Sequence, residues 1–169
     1  MTARSVLALE RLDRRPARAV GELDDASRAL ACDLVDTMRA SPACVGIAAP
    51  QIGVPLRAFV VDVSSHKKAR TCHGELVLFD PEVLESADPV TEREGCMSVP
   101  DLTGDVARAT RLVVAGIDVC GKRIVVSTDA FEARAIQHEI DHLDGLVFLD
   151  RLAGPGALHL RRVYRRGPA

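Results

Sequence analysis

The chain has 169 residues, is 47% hydrophobic and 27% charged, and carries a formal net charge of −2. That length is expected to form one domain, residues 1–169, with enough interior to fold without staples. The slight acidity excludes a general DNA-binding role, and no apolar run approaches the ~20 residues of a membrane span. Five cysteines, at 32, 44, 72, 96 and 120, are odd in number, widely spaced and free of any Cys-x-x-Cys pair. That pattern suits reduced thiols, and with no secretory-leader pattern near Met1 the expected location is cytoplasmic.

Asp24-Asp25 predicts the cap of a helix running to about Ala40, since Ser27, Leu30, Ala31, Leu34, Val35 and Met38 recur at helical spacing. Residues 43–53 read as an unusually apolar loop. Leu56 to Val63 alternates as a strand, Ser64 to Gly74 is a polar loop, and Leu76–Phe79 and Val83–Glu85 are short strands broken by Pro81. Leu112–Val119 and Arg123–Val126 form a hairpin across Cys120-Gly121-Lys122. Ser127 or Asp129 caps a second helix from Ala130 to about Leu143, stopped by Asp144-Gly145. The last stretch, His159 to Arg166, is short and basic. This order predicts an α+β fold with mostly antiparallel sheet packed on the second helix.

The second helix holds Gln137-His138-Glu139-Ile140-Asp141-His142. His138 and His142 lie one turn apart on one face, so both imidazoles can hold one divalent ion. Glu139, beside the first ligand, can act as general acid/base on a metal-activated water without ligating. A catalytic site of this kind takes three protein ligands and keeps a fourth position open. The third could be Cys, His, Asp or Glu. Cys96 stands out by its setting in Arg93-Glu94-Gly95-Cys96-Met97-Ser98, where it would ligate as a thiolate.

Three segments now carry a resemblance. Glu94-Gly95-Cys96-Met97-Ser98 resembles the Glu-Gly-Cys-Leu-Ser motif of peptide deformylases. Gln137 to Gly145 resembles their Gln-His-Glu-x-Asp-His-Leu-x-Gly motif, and Gly46-Ile47-Ala48-Ala49-Pro50-Gln51 the latter part of their Gly-x-Gly-x-Ala-Ala-x-Gln motif. The three occur in the family's order. The resemblance implies antiparallel sheets around a central metal-binding helix, with a helix N-terminal to them. It implies one metal ion, natively ferrous and replaceable by zinc or nickel, on Cys96, His138 and His142. The implied reaction removes the formyl group from formyl-methionyl peptides by metal-bound hydroxide, with Glu139 moving the protons. Gln51 and the backbone N–H of Met97 are the implied oxyanion donors, and Gly46 borders the substrate.

Further expectations rest partly on the same resemblance and, for the pocket wall, on helical spacing before His138. Arg108 pairs with Glu94. Phe131, Arg134 and Ala135 wall a methionine pocket, with the Arg134 head group turned to water. The basic tail, with Arg161, Arg162, Arg165 and Arg166, makes a weak ribosome contact. Cys44 stands where the family has the motif's first glycine, and a positive φ there would strain it. Met97 replaces leucine. Two alternatives remain: a deacylase of the same family acting on another small N-acyl compound, or a closed structural metal site completed by Cys72, His73 or Cys120.

Overall fold

A computed structural model describes residues 3–161. Helix α1 is Asp25–Ala40, and the Asp24 carboxylate accepts from Ser27 N (2.8 Å) and Ser27 Oγ (2.7 Å), capping it as the sequence implies. Five strands follow in one antiparallel path: β1 Gly46–Ala48, β2 Ala58–Val61, β3 Leu76–Cys96, β4 Val99–Ile117 and β5 Arg123–Asp129. Helix α2, Ala130–Leu143, comes next, and a short strand β6, Leu158–Leu160, pairs with β4. The fold is α+β with antiparallel sheet, as expected.

The start of the sheet is covered on both faces, and strand alternation explains how. In β2, Ala58 and Val60 pack toward α1 with Leu30, Leu34 and Met38. Phe59 and Val61 pack the other way, toward Ala133, Ile136 and Leu143 of α2. Both faces being buried, β2 reads as a continuous apolar run. A third cluster of Cys96, Val99, Val106 and Phe148 closes the end of β3.

Three differences from the sequence reading have local causes. The apolar loop contains β1 and a 3₁₀ turn over Ala49–Ile52, so its hydrophobicity is that of a buried sheet edge. Pro81 does not break the strand: β3 runs through it, and the register shifts between Phe79 and Glu82 absorb the missing N–H. Asp129 precedes α2 but makes no side-chain cap; its carboxylate accepts from Thr71 N at 3.1 Å instead. The stop at Asp144-Gly145 holds. Gly145 has φ +77°, and a Cβ there would run into the Arg14 carbonyl.

Candidate metal centre

Helix α2 presents His138 and His142 one turn apart, rings edge to face with centroids 4.9 Å apart. Cys96 arrives from the last position of β3, where the chain turns to pair Cys96 with Val99. The donor atoms of Cys96, His138 and His142 all lie within 4.8 Å of one another, and Cys96 Sγ is 3.3 Å from His142 Nε2. One thiol and two imidazoles converging in a largely buried spot are the donor set of a divalent ion with one position open. Cys72, His73 and Cys120 are not part of this group. His73 is engaged elsewhere, its Nδ1 2.7 Å from the buried Glu132.

Beneath the donors lies an ion-pair network. Glu94 accepts from Arg108 Nε (2.7 Å) and Nη2 (2.6 Å), so the expected pair is present and bidentate. Arg108 also donates to Asp141 (2.9 Å), which Arg151 meets from the other side (2.9 Å). The other role of Glu94 is to accept from His138 Nδ1 at 2.9 Å, leaving His138 Nε2 as the lone-pair donor. Burial works against the Glu94 charge, but the bonds from Arg108 and His138 outweigh it and bring the carboxyl down to about 2.

Glu139 stands in the opposite environment. It is buried, its Oε2 has no hydrogen-bond partner, and burial pushes its carboxyl up to about 7 against the pull of His138 and Arg108. A buried carboxylate oxygen left unpaired is costly, so its presence beside three converging donors fits a site completed by an ion and a polar group. Gly46 of β1 crosses directly over this side chain: a Cβ on Gly46 would sit 2.6 Å from Glu139 Oε1.

One cavity of about 310 Å³ is walled by Gly46, Gln51, Cys96, Met97, His138 and Glu139. His142 lies at 3% exposure beneath it. Gln51 is buried; its Oε1 accepts from Ala48 N (3.0 Å), and its Nε2 donates to Ser98 Oγ (3.1 Å) and approaches Cys96 Sγ (3.6 Å). Phe131, Arg134 and Ala135 form the far wall. Arg134 departs from the expectation: its head group turns inward, donating to Val90 O (2.8 Å) and Val106 O (2.9 Å). Three backbone acceptors within reach offer it more than water does, the third being Glu92 O at 3.3 Å. A larger groove of about 760 Å³ adjoins behind Phe131 and Arg134 but contains none of the metal donors.

Cys44 is not strained. Positive φ falls on its neighbour Ala43 (58°), while the Cys44 thiol donates to Gly46 O at 3.1 Å. Burial pushes that thiol up to about 12, so it stays protonated. Two cavity residues were missed by the sequence reading. His66, from the polar loop, stacks on Phe131 at 3.7 Å, and Arg161 reaches the rim from beyond β6. His66 carries no local pattern that would have marked it, and Arg161 was read only as part of the basic tail.

A convergent thiol–diimidazole cluster with a buried carboxylate beside it defines the class as a metal-dependent hydrolase. The comparisons narrow that class. The family model described as polypeptide deformylase matches residues 9–157. The peptide deformylase of Desulforudis audaxviator is 45% identical over 139 residues, covering 82% of this chain and 85% of that protein. Peptide deformylase 1 of Clostridium perfringens is 39% identical over 137 residues, covering 81% and 88%. Crystal structures of the peptide deformylase from Thermotoga maritima (TM-score 0.82, 28% identity, 91% of this chain, 100% of that one) and of the Ehrlichia chaffeensis enzyme in complex with actinonin (0.83, 30%, 90% and 90%) share the fold. The chain belongs to the polypeptide deformylase family.

Proposed function

We propose that this chain hydrolyses the formamide of N-terminal formyl-methionine on newly made polypeptides, releasing formate and a free amine. The observation that carries the reading is Glu139: a buried carboxyl with one orphaned oxygen, lining the same cavity as Cys96 and His138 of the donor cluster. Cys96, His138 and His142 would hold one divalent ion, ferrous in the native protein, with zinc or nickel able to replace it. Bound there, it would supply Lewis acidity for the activation of water.

The chain's own groups do the rest. Glu139 takes the proton of the attacking water and returns it to the departing methionine nitrogen. The water oxygen leaves in formate as the C–N bond breaks. The Gln51 amide and the Met97 N–H face the formyl oxygen as charge develops on it. For Gln51 this means exchanging its contact with Cys96 Sγ or Ser98 Oγ for one to substrate. Gly46, at the sheet edge, receives the peptide backbone, and Phe131, Ala135 and the stem of Arg134 receive the methionine side chain.

A cytoplasmic location belongs to the same reading. No helix among the described residues is long and apolar enough to cross a membrane. A weak ribosome contact through the basic tail belongs to the same reading; of its arginines, Arg162, Arg165 and Arg166 lie outside the described residues. The deciding experiment measures formate from formyl-Met-Ala-Ser, using protein loaded anaerobically with ferrous ion, beside Glu139→Ala. The expected result is release by the parent and a loss of about 10²- to 10⁴-fold in the variant. A fully loaded parent that releases no formate would sink the reading.

A further inference from the structure

Arg161 is the last described residue, and its backbone is fixed. Strand β6 pairs Leu158–Leu160 with Leu102–Gly104 of β4, and Arg161 N donates to Asp101 O at 2.8 Å. From there the side chain folds back to the cavity rim, where Nη2 makes a long bond of 3.4 Å to Cys96 O. It lies over Gly95 so closely that a Cβ on that glycine would collide with the guanidinium.

The other arginines around the cleft are committed. Arg108 serves Glu94 and Asp141, Arg93 pairs with Asp105 at 3.2 Å, and Arg134 holds backbone carbonyls. Arg161 makes no ion pair with a carboxylate among the described residues, and it is half-buried at the mouth. A guanidinium carries five N–H donors in a planar fork, and among the described residues one long bond to a carbonyl leaves most of that capacity unused. On the deformylase reading, a formyl carbon held at the donor cluster sends the residues after methionine out past the cavity lining to which Arg161 belongs.

We infer that Arg161 is a specificity-determining residue that receives a carboxylate carried by the substrate immediately downstream of formyl-methionine. This rests on the deformylase reading above. The carboxylate has two sources, an acidic side chain at the second or third residue or the free C-terminus of a short peptide.

Four peptides separate them: formyl-Met-Ala-Ser amide as the neutral reference, formyl-Met-Ala-Ser acid, formyl-Met-Asp-Ser amide and formyl-Met-Ala-Asp amide. In the ferrous-loaded parent, at least one acidic peptide is expected to exceed the reference in kcat/KM by about five- to tenfold, carried in KM. That ratio falls to about one in Arg161→Ala, drops below one in Arg161→Glu, and is kept in part by Arg161→Lys, which retains charge without the fork. Calorimetric binding of the same peptides to Glu139→Gln protein reads the ratio without turnover. Preference for the free acid alone assigns the C-terminus; preference for the aspartyl amides assigns the side chain. A ratio near one in the parent, or one that survives Arg161→Glu, overturns the inference while leaving deformylation intact. So does an equal fall on all four peptides in Arg161→Ala, which would make the residue a strap on the Cys96 turn. Absence of formate from every peptide removes the deformylase reading and this inference with it.

Discussion

Two glutamates flank the same cluster of donors and live in opposite surroundings. On the floor, Glu94 is gripped by Arg108 and His138 and held at about 2. Against the β1 wall, Glu139 has an oxygen with no partner and is raised to about 7. Residue type is identical, so the difference is set by what each side chain is given to bond with. A carboxylate that keeps its charge at any working pH is a fixed anchor for His138. One that titrates near neutrality can pass a proton.

The same Glu→Gln change at the two positions should have different consequences. Glu94→Gln removes one of the two carboxylate charges facing the buried Arg108 and one of the oxygens that accept from it, so it is expected to cost about 3–5 kcal/mol. Metal affinity should fall about 10–100-fold as His138 loses its orienting acceptor. Denaturant melts and zinc competition against a chromophoric chelator read the two effects, and wild-type values in both would end the anchor role.

Glu139→Gln should act with the opposite sign on stability. Between the ordinary 4.5 and its raised value of about 7, the folded chain keeps a proton that the unfolded chain has released. The contribution of this group to stability therefore falls as pH rises through that window, and the penalty is complete above it. Metal-stripped Glu139→Gln is expected to be more stable than the parent at pH 8, on the order of 2 kcal/mol, with the gap closing toward pH 4.5. Coincident melts at pH 8 would contradict the burial penalty.

Smaller effects test the wall. Gly46→Ala forces Glu139 aside, because the new methyl would lie 2.6 Å from its oxygen. Formate release is expected to drop about tenfold with metal content unchanged. An unaltered rate would mean that Glu139 moves freely, against its packed setting. The smallest change is Cys44→Gly. Because Cys44 does not sit at positive φ, glycine relieves nothing there. It should destabilise by roughly 0.5–1 kcal/mol. A stabilised variant would show that the loop wanted glycine after all.

These contrasts also show what the sequence could reveal. The pairing of His138 with His142 was legible because helical period brings residues four apart onto one face. Gln51 and Cys96 were legible only through motifs, since a contact spanning 45 positions leaves no periodic trace. The length of β3 and β4 was hidden for a different reason. Residues Glu82 to Glu94 are mostly exposed and polar, so alternation gave no signal, and Pro81 suggested a break. Arg161 reaches the site across 65 positions, and the inward turn of Arg134 depends on carbonyls of β3 and β4. Such contacts appear only once the strands are in register.

Strand β1 has one further consequence. It is the end strand of the sheet path, only three residues long, and all three are buried. An exposed sheet edge invites any neighbouring β-structure to pair with it. Gly46 of this edge lines the cavity together with Cys44 and Met97, so what enters the cavity meets the free side of a sheet rather than a closed wall.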